Sequence, residues 1–187
     1  MFLDLTENTN QNVYSYLVGG ISPRPIAWIS TLNSEGIANI APYSFFTVAS
    51  CKPAVLSVTQ VNPSDKTNKD TLSNLMATKE CVVNIVSQEL VEKMNQSCAN
   101  YPSDISEFDA ANIAQAPSKL VNAPSVADSK VRFECKLREV ISISNEPGGG
   151  KMMLLDVVGI CIDDEVMSGG YIDPELLNAV GKMGGDY

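Results

Sequence analysis

The chain of 187 residues contains no histidine. This absence excludes the usual general base at neutral pH, a Ser-His-Asp arrangement and most forms of zinc or haem ligation. The first ten residues also lack the basic patch and the apolar run of a signal peptide. No later segment approaches the roughly 20 consecutive apolar residues that a membrane-spanning helix needs. We therefore expect a cytoplasmic protein whose redox or transfer chemistry depends on a bound cofactor.

Basic residues are scarce, since 13 Lys and Arg stand against 22 Asp and Glu and give a net charge of -9. A surface of this sign opposes binding to nucleic acid or to an anionic membrane. The five cysteines are widely spaced and include no Cys-x-x-Cys pair: Cys51, Cys81, Cys98, Cys135 and Cys161. Neither a disulfide framework nor a metal site is expected from them. The length fits one domain, 1–187.

Six segments have the apolar content and the lack of helical periodicity that favour β-strands. They cover residues 23–31, 37–43, 54–60, 81–86, 131–144 and 152–162. Turn residues at 33–36 predict a hairpin between the first two segments, and the Pro and Gly residues at 146–150 predict a second one. Six strands are enough to close a small barrel. We therefore expect a mainly β fold, an antiparallel barrel with helices packed outside it.

Helical patterns are fewer and shorter. Residues 72–79 and 88–99 place apolar side chains at helical spacing, and Pro174 marks the start of a third helix. Residues 100–129 contain three prolines and many small polar residues, which predicts a long irregular loop. A loop of this length within a domain commonly covers a site or wraps a neighbouring molecule.

Nucleotide-binding motifs of the Rossmann and P-loop types are absent from the sequence. Lys69, Asp70 and Thr71 precede a predicted helix, where free backbone N–H groups and the helix dipole attract an anion. On this tripeptide alone, the simpler interpretation is a helix cap formed by Asp70 or Thr71 with a solvated Lys69. The alternative is a phosphate site to which Lys69 adds charge and Thr71 a hydroxyl.

The segment from Asn39 to Phe46 begins as a strand and then carries Pro42, which cannot donate to a ladder and therefore belongs at an edge or a bulge. Free backbone groups at such a break match the alternating donors and acceptors of a flavin pyrimidine edge. An ordinary edge strand with core aromatics explains the same residues. Ser57 and Thr59 share one face of a strand and are suited either to a ribityl chain and phosphate or to solvent.

The separate motifs occur in one order and at characteristic spacings. They are PRPIAWIST at 23–31, the run from Gly36 to Phe46, the Lys69-Asp70-Thr71 triplet, Val83-Asn84, and the terminal Gly181-Lys182-Met183-Gly184-Gly185-x-Tyr187. Together they resemble the flavin reductase-like FMN-binding split-barrel family, to which flavoredoxin is related. The resemblance covers nearly the whole chain, and the ordered set is far more specific than any one motif.

The resemblance implies a six-stranded antiparallel split barrel, a homodimer and one FMN per subunit near the dimer interface. It assigns Thr31, Ser57, Thr59, Lys69 and Thr71 to the phosphate and ribityl end, and Ala41, Pro42, Tyr43 and Ser44 to the isoalloxazine ring. It further implies that Asn39 supports the bend and that Asp70 holds the helix cap. The chain departs from the family pattern at Cys161, where relatives carry His, and at Lys182, where they carry Arg.

The function that follows from the resemblance is an FMN-dependent oxidoreductase of the flavin reductase type. Hydride from NADH or NADPH would reach the flavin, and electrons would pass to free flavin, a metal complex or a protein. No side chain is assigned a catalytic role, because the protein supplies orientation and a polarised ring. The alternative is a flavoredoxin-like electron carrier that a protein partner reduces, for which an acidic surface suits a basic donor.

Overall fold

The computed structural model describes residues 2–6, 13–63, 69–102 and 104–184. Its strands are β1 (Arg24–Pro25), β2 (Ala27–Leu32), β3 (Ala38–Tyr43), β4 (Phe46–Cys51), β5 (Ala54–Val61), β6 (Glu80–Ile85), β7 (Gln115–Ala116), β8 (Ser125–Val126), β9 (Val131–Ser142), β10 (Gly150–Ile162), β11 (Met167–Ser168), β12 (Tyr171–Ile172) and β13 (Gly181–Lys182). Its α-helices are α1 (Val13–Gly20), α2 (Asp70–Thr78), α3 (Val91–Gln96), α4 (Glu107–Ala110) and α5 (Pro174–Leu177), with 3-10 turns at Gln88–Leu90 and Asp164–Val166.

The main sheet contains seven antiparallel strands in the order β3-β2-β6-β9-β10-β5-β4. Side chains from β2, β3, β5, β6, β9 and β10 share one buried core, so the sheet curls into a barrel. Among the described residues no ladder joins β3 to β5. One backbone hydrogen bond of 2.8 Å, from Thr59 N to Phe45 O, crosses this split.

The mainly β split barrel with peripheral helices is confirmed, but the expected six strands are one too few. The missed strand is β4, an edge strand that forms a hairpin with β5. Its sequence, FTVASC, contains small and polar residues and lies largely exposed. An edge strand buries little of either face, so it carries no long apolar run for sequence reasoning to detect.

The predicted hairpin at residues 33–36 is confirmed as the turn between β2 and β3. Asn33 Oδ1 accepts hydrogen bonds from the backbone N–H groups of Glu35, at 2.9 Å, and Ile37, at 2.8 Å. Gly36 has a φ of 82°, in the left-handed region that glycine adopts at little cost. The long second hairpin, β9 with β10, is likewise confirmed.

Strand β2 is buried on both faces, which explains its nearly continuous apolar sequence. Ala27 and Ile29 point into the barrel core, where Met153 of β10 also lies. Trp28 points the other way and packs with Phe108 of α4 in a second cluster outside the barrel. The second cluster fixes the segment after α3 against the barrel wall.

Residues 100–129 were expected to form an irregular loop, and this expectation is wrong in part. The segment contains α4 and the short β7–β8 pair. Phe108 and Ile113 anchor it to the second cluster, because both are buried there. The segment therefore covers the outer face of β2 and brings Tyr101 and Glu107 to one rim of a cavity.

The three predicted helices are confirmed as α2, the 3-10 turn with α3, and α5. In α5, Pro174 occupies the first turn and Asp173 accepts from the N–H groups of Glu175 and Leu176 at 2.9 and 3.2 Å. Helix α1 was not predicted. None of the helices in the described ranges is long and apolar enough to cross a membrane.

Candidate functional site

Lys69, Asp70 and Thr71 lie at the N-terminus of α2. Lys69 is the N-cap, with extended φ and ψ of -69° and 151°, and its carbonyl accepts from Leu72 N and Ser73 N at 3.1 and 3.2 Å. Asp70 is already the first helical residue. The expectation that Asp70 holds the helix cap is therefore wrong, because the extended-to-helical change of the backbone occurs one residue earlier.

A buried polar network connects this helix to the β2–β3 hairpin. Asn39 Oδ1 accepts from the hydroxyls of Thr71, at 3.0 Å, and Thr31, at 3.3 Å. Asn74 Nδ2 donates to Thr31 Oγ1 at 3.1 Å. Because Thr71 gives its hydrogen to Asn39, its hydroxyl can accept from a ligand but cannot also donate to a phosphate. This refines the predicted contribution of Thr71.

Glu107 completes the network and was not found from the sequence. Its carboxylate accepts from Asn39 Nδ2 at 2.9 Å and from Ile40 N at 3.2 Å. Burial raises the pKa of Glu107, and Asp70 adds to the rise, whereas hydrogen bonds from its own backbone, Ile40 and Asn39 oppose it. No local pattern indicates this role, since Glu107 lies 68 residues from Asn39 in the chain.

One cavity of about 370 Å³ opens beside this network. Its wall comes from β3, from the start of α2 and from the segment after α3, and it includes the predicted residues Asn39, Ala41, Pro42, Lys69, Asp70 and Thr71 together with Cys98, Tyr101 and Glu107. Lys69 brings one positive charge, and Asp70 and Glu107 bring carboxyl groups. The cavity therefore has more acidic than basic side chains, unlike a phosphate pocket lined by cations alone.

A second cavity of about 650 Å³ adjoins the first, and both are lined by Pro42 and Cys98. Its wall includes the predicted ring residues Pro42, Tyr43 and Ser44, the helical residues Val91 and Met94, and Lys182 of β13. The two cavities meet at Pro42 and Cys98 and form one groove beside β3. The ring half and the phosphate half of the predicted site thus lie next to each other.

Tyr43 links the two halves of the groove. Its ring lies 5.9 Å from Lys69 Nζ, within the range of a cation–π contact. Burial raises the pKa of Tyr43 to about 12. The Thr71 hydroxyl opposes this rise, but its hydrogen already goes to Asn39, and Tyr43 Oη has no hydrogen-bonding partner within the described ranges.

Cys98 lies where the cavities meet, between two lysines. Partial burial raises the pKa of Cys98, and the positive charges of Lys182 and Lys69 lower it. Both lysines are therefore close enough to influence this junction. Sequence reasoning gave Cys98 no role, because a single cysteine in a helical pattern is usually a packing residue.

Three predicted residues do not line either cavity. Thr31 is fully buried and acts through the network. Ser57 and Thr59 alternate on β5 with the buried core residues Leu56 and Val58, so their side chains lie on the outer face of the barrel. Within one subunit they are separate from Lys69 and Thr71, and their role at a phosphate stays a prediction.

The two departures from the family pattern lie in different surroundings. Cys161 is on β10, where its Sγ accepts from Arg132 Nη2 at 3.0 Å, and it lines neither cavity. Lys182 lines the second cavity and pairs with Arg24 in the β1–β13 ladder. Gly185 and Tyr187 of the terminal motif lie outside the described residues.

Residues 19–176 match the family model for the flavin reductase like domain. An uncharacterized protein of Aquifex aeolicus (strain VF5) is 37% identical over 182 residues, covering 97% of this chain and 91% of that protein. Nitrilotriacetate monooxygenase component B from Bacillus cereus has a similar structure, with a TM-score of 0.93, 28% identity, and coverage of 100% of this chain and 93% of that one. Pseudomonas fluorescens 2-nitrobenzoate 2-nitroreductase NbaA gives a TM-score of 0.87 at 28% identity, covering 100% and 90%.

Proposed function

Since the chain belongs to the flavin reductase-like family, we propose that it is an FMN-dependent oxidoreductase of the flavin reductase type. When bound, FMN would take hydride from NADH or NADPH and pass electrons to free flavin, a metal complex or a protein. The groove formed by the two adjoining cavities carries this proposal. One end offers Lys69 at a helix N-terminus, and the other is bordered by the break at Pro42, Tyr43 and Ser44.

The ring end of the groove fits a planar ligand that carries alternating donors and acceptors. Strand β3 is the last strand of the sheet on this side, so alternate backbone groups have no ladder partner there among the described residues. Pro42 removes one donor from this row. Ile40 N belongs to the same row and already donates to Glu107. The carbonyl of Pro42 and the backbone groups of Ser44 are therefore the ones available to match a pyrimidine edge.

The phosphate end fits an anion less simply. Asp70 and Glu107 lie beside Lys69, so the lysine alone does not make the cavity positive. We assign the remaining attraction to the backbone N–H groups in the first turn of α2, which the helix dipole reinforces. Thr71 would then accept a hydrogen bond from a ribityl hydroxyl, because its own hydroxyl hydrogen is already donated to Asn39.

Neither a histidine nor an ionised tyrosine is available in the groove as a general base at neutral pH. The chain contains no histidine, and the raised pKa of Tyr43, about 12, keeps that phenol protonated at neutral pH. The role left to these residues is to bind and orient the flavin and to leave one face of its ring accessible. A chain without a dinucleotide-binding motif would admit the nicotinamide over that face.

A single domain, a homodimer and a cytoplasmic location belong to the same proposal. The exposed isoleucines Ile141 on β9, Ile143 just after β9 and Ile160 on β10 favour the dimer, because exposed apolar residues along a sheet are commonly covered by a partner. Sedimentation at several concentrations tests this part of the proposal. A stable monomer that binds FMN tightly would contradict a site at the dimer interface.

The second candidate is an electron carrier that a protein partner reduces instead of a nicotinamide nucleotide. The net charge of -9 favours it, since an acidic surface suits docking to a basic donor. One experiment separates the candidates: FMN is titrated into the protein, and the yellow complex is mixed anaerobically with NADH or NADPH. Rapid bleaching supports the reductase, and a persistently oxidised spectrum supports the carrier. Failure to bind FMN would contradict both.

A further inference from the structure

A third cavity adjoins the ring end of the groove on the side away from Lys69. Its volume is about 420 Å³, and Ser44 lines both it and the second cavity. Its walls are mostly apolar, with Leu17 and Ile21 on one side and Phe45 and Phe46 on the other. A cavity of this size accommodates a ligand of roughly the size of one aromatic ring with a substituent.

The single charged residue of this cavity is Arg24, whose exposed fraction is only 4%. Its Nη1 is well satisfied, donating to Val18 O at 2.6 Å and Ile21 O at 3.2 Å. Its other edge makes two longer hydrogen bonds, from Nη2 to Met183 O at 3.3 Å and from Nε to Ser44 Oγ at 3.4 Å. Both of these contacts are longer than a typical N–H···O hydrogen bond.

No carboxylate of the described residues lies within ion-pair distance of Arg24. Buried arginines are usually paired with an anion, because removing the charge from water is costly. The carbonyls near the C-terminus of α1 compensate part of the charge and explain a structural role for Nη1. The Nε–Nη2 edge has only the two longer hydrogen bonds to neutral oxygens. A carboxylate could replace them with two parallel, charge-assisted hydrogen bonds to this edge.

We infer that the third cavity binds a small apolar carboxylate. The carboxylate would contact the Nε–Nη2 edge of Arg24 beside Ser44, and the apolar body would pack against Phe45, Phe46 and Ile21. The cavity and the buried Arg24 alone support the existence of this binding site. Its position next to the flavin ring, and hence its relevance to electron transfer, rests on the proposed function.

The test compares benzoate with benzamide, which has the same size but no charge. Isothermal titration calorimetry on the flavin-free full chain is expected to show benzoate binding at least about tenfold more tightly, since a charge-assisted contact is lost with the amide. Equal affinities, or binding of neither compound, would overturn the inference. FMN titration of the same sample is a separate measurement, so a failure of the proposed function remains distinguishable.

Two variants locate the site. Arg24→Lys keeps the charge but loses the two-donor edge, and we expect benzoate affinity to fall about tenfold or more. Ile21→Trp fills the mouth of the cavity from an exposed position and should abolish binding without touching the guanidinium. Val48→Trp, at an exposed apolar position outside the cavity, is the matched control and should bind as the wild type does.

The thermal midpoint of each variant shows whether it has folded. If Arg24→Lys unfolds because the contacts with Val18 and Met183 are lost, Ile21→Trp still decides the question. Unchanged benzoate affinity in Ile21→Trp would overturn the inference. The inference would also be overturned if the wild-type chain forms a dimer that does not bind benzoate and Ile21→Trp dissociates that dimer. The cavity would then be assigned to contact with a second copy of the chain.

Discussion

The two ends of the groove differ in how the protein satisfies its own polar groups. At the first cavity, Asn39, Thr71 and Glu107 are joined by hydrogen bonds of 2.9 and 3.0 Å. Tyr43, which lines the second cavity, has a buried Oη with no partner among the described residues, and the edge of β3 has no ladder. The first end is therefore fixed by the chain itself, whereas the second has an unsatisfied buried hydroxyl and strand-edge backbone groups that a ligand can contact.

This difference predicts that polar substitutions at the first end reduce stability, while those at the second end mainly change ligand binding. Asn39→Leu provides the largest expected effect. It removes the partner of two hydroxyls and of the Glu107 carboxylate, all of which are buried. We expect a loss of about 2–4 kcal/mol in the free energy of unfolding, measured by urea denaturation.

Asn95→Leu is the matched control, because Asn95 is exposed on α3 and lines the second cavity. We expect a change within about 0.5 kcal/mol. If Asn39→Leu and Asn95→Leu lost similar amounts of free energy of unfolding, the hydrogen-bond network around Asn39 would not make the first end more important for stability than the second.

Lys69→Ala should separate binding from stability. Lys69 is exposed, so its removal should change the free energy of unfolding by less than about 0.5 kcal/mol. FMN affinity, followed by fluorescence titration, should weaken by roughly 1–3 kcal/mol, the usual value of a charge-assisted hydrogen bond. Lys119→Ala, at another exposed lysine that lines neither cavity of the groove, should bind FMN normally. Unchanged affinity in Lys69→Ala would remove the phosphate assignment.

The barrel was largely predictable from the sequence because burial on one or both faces leaves apolar runs in β2, β5, β6, β9 and β10. Strand β4 was not, since its largely exposed residues carry no such pattern. The same reasoning explains α1, most of whose side chains are exposed.

The candidate site was predictable only where its residues are close together in the chain. Residues 39–44 and 69–71 were found as short motifs, and both line the groove. Glu107 and Cys98 were missed, because their proximity to Asn39 and Lys182 depends on how the segment after α3 packs beside the barrel. Contacts between residues so distant in sequence leave no local signal.

Tyr43→Phe and Thr71→Val sharpen the comparison at the level of single hydroxyl groups. The Tyr43 hydroxyl is buried without a partner in the described part of the chain, so its removal should leave stability unchanged or raise it by up to about 1 kcal/mol. The Thr71 hydroxyl donates to Asn39, so its removal should cost about 1 kcal/mol. Thermal and urea unfolding measure both changes. A loss in Tyr43→Phe as large as that in Thr71→Val would contradict the assignment of a satisfied and an unsatisfied end.

The smallest expected effect is a pH dependence that originates in Glu107. Burial raises its pKa above the ordinary value of 4.5, so the folded chain binds this proton more tightly than the unfolded chain does. Its contribution to stability is therefore greatest below pH 4.5 and decreases as pH rises through the folded-state pKa. Glu107→Gln removes this titration. We therefore expect the difference in free energy of unfolding, wild type minus variant, to fall as pH rises from 4.5 through the folded-state pKa and to stay constant above it. Because Asp70 contributes to the rise in pKa, the fall should be smaller when both proteins also carry Asp70→Asn. Urea denaturation at a series of pH values measures this difference, and a difference that increases with pH would show that hydrogen bonds to the carboxylate outweigh its burial.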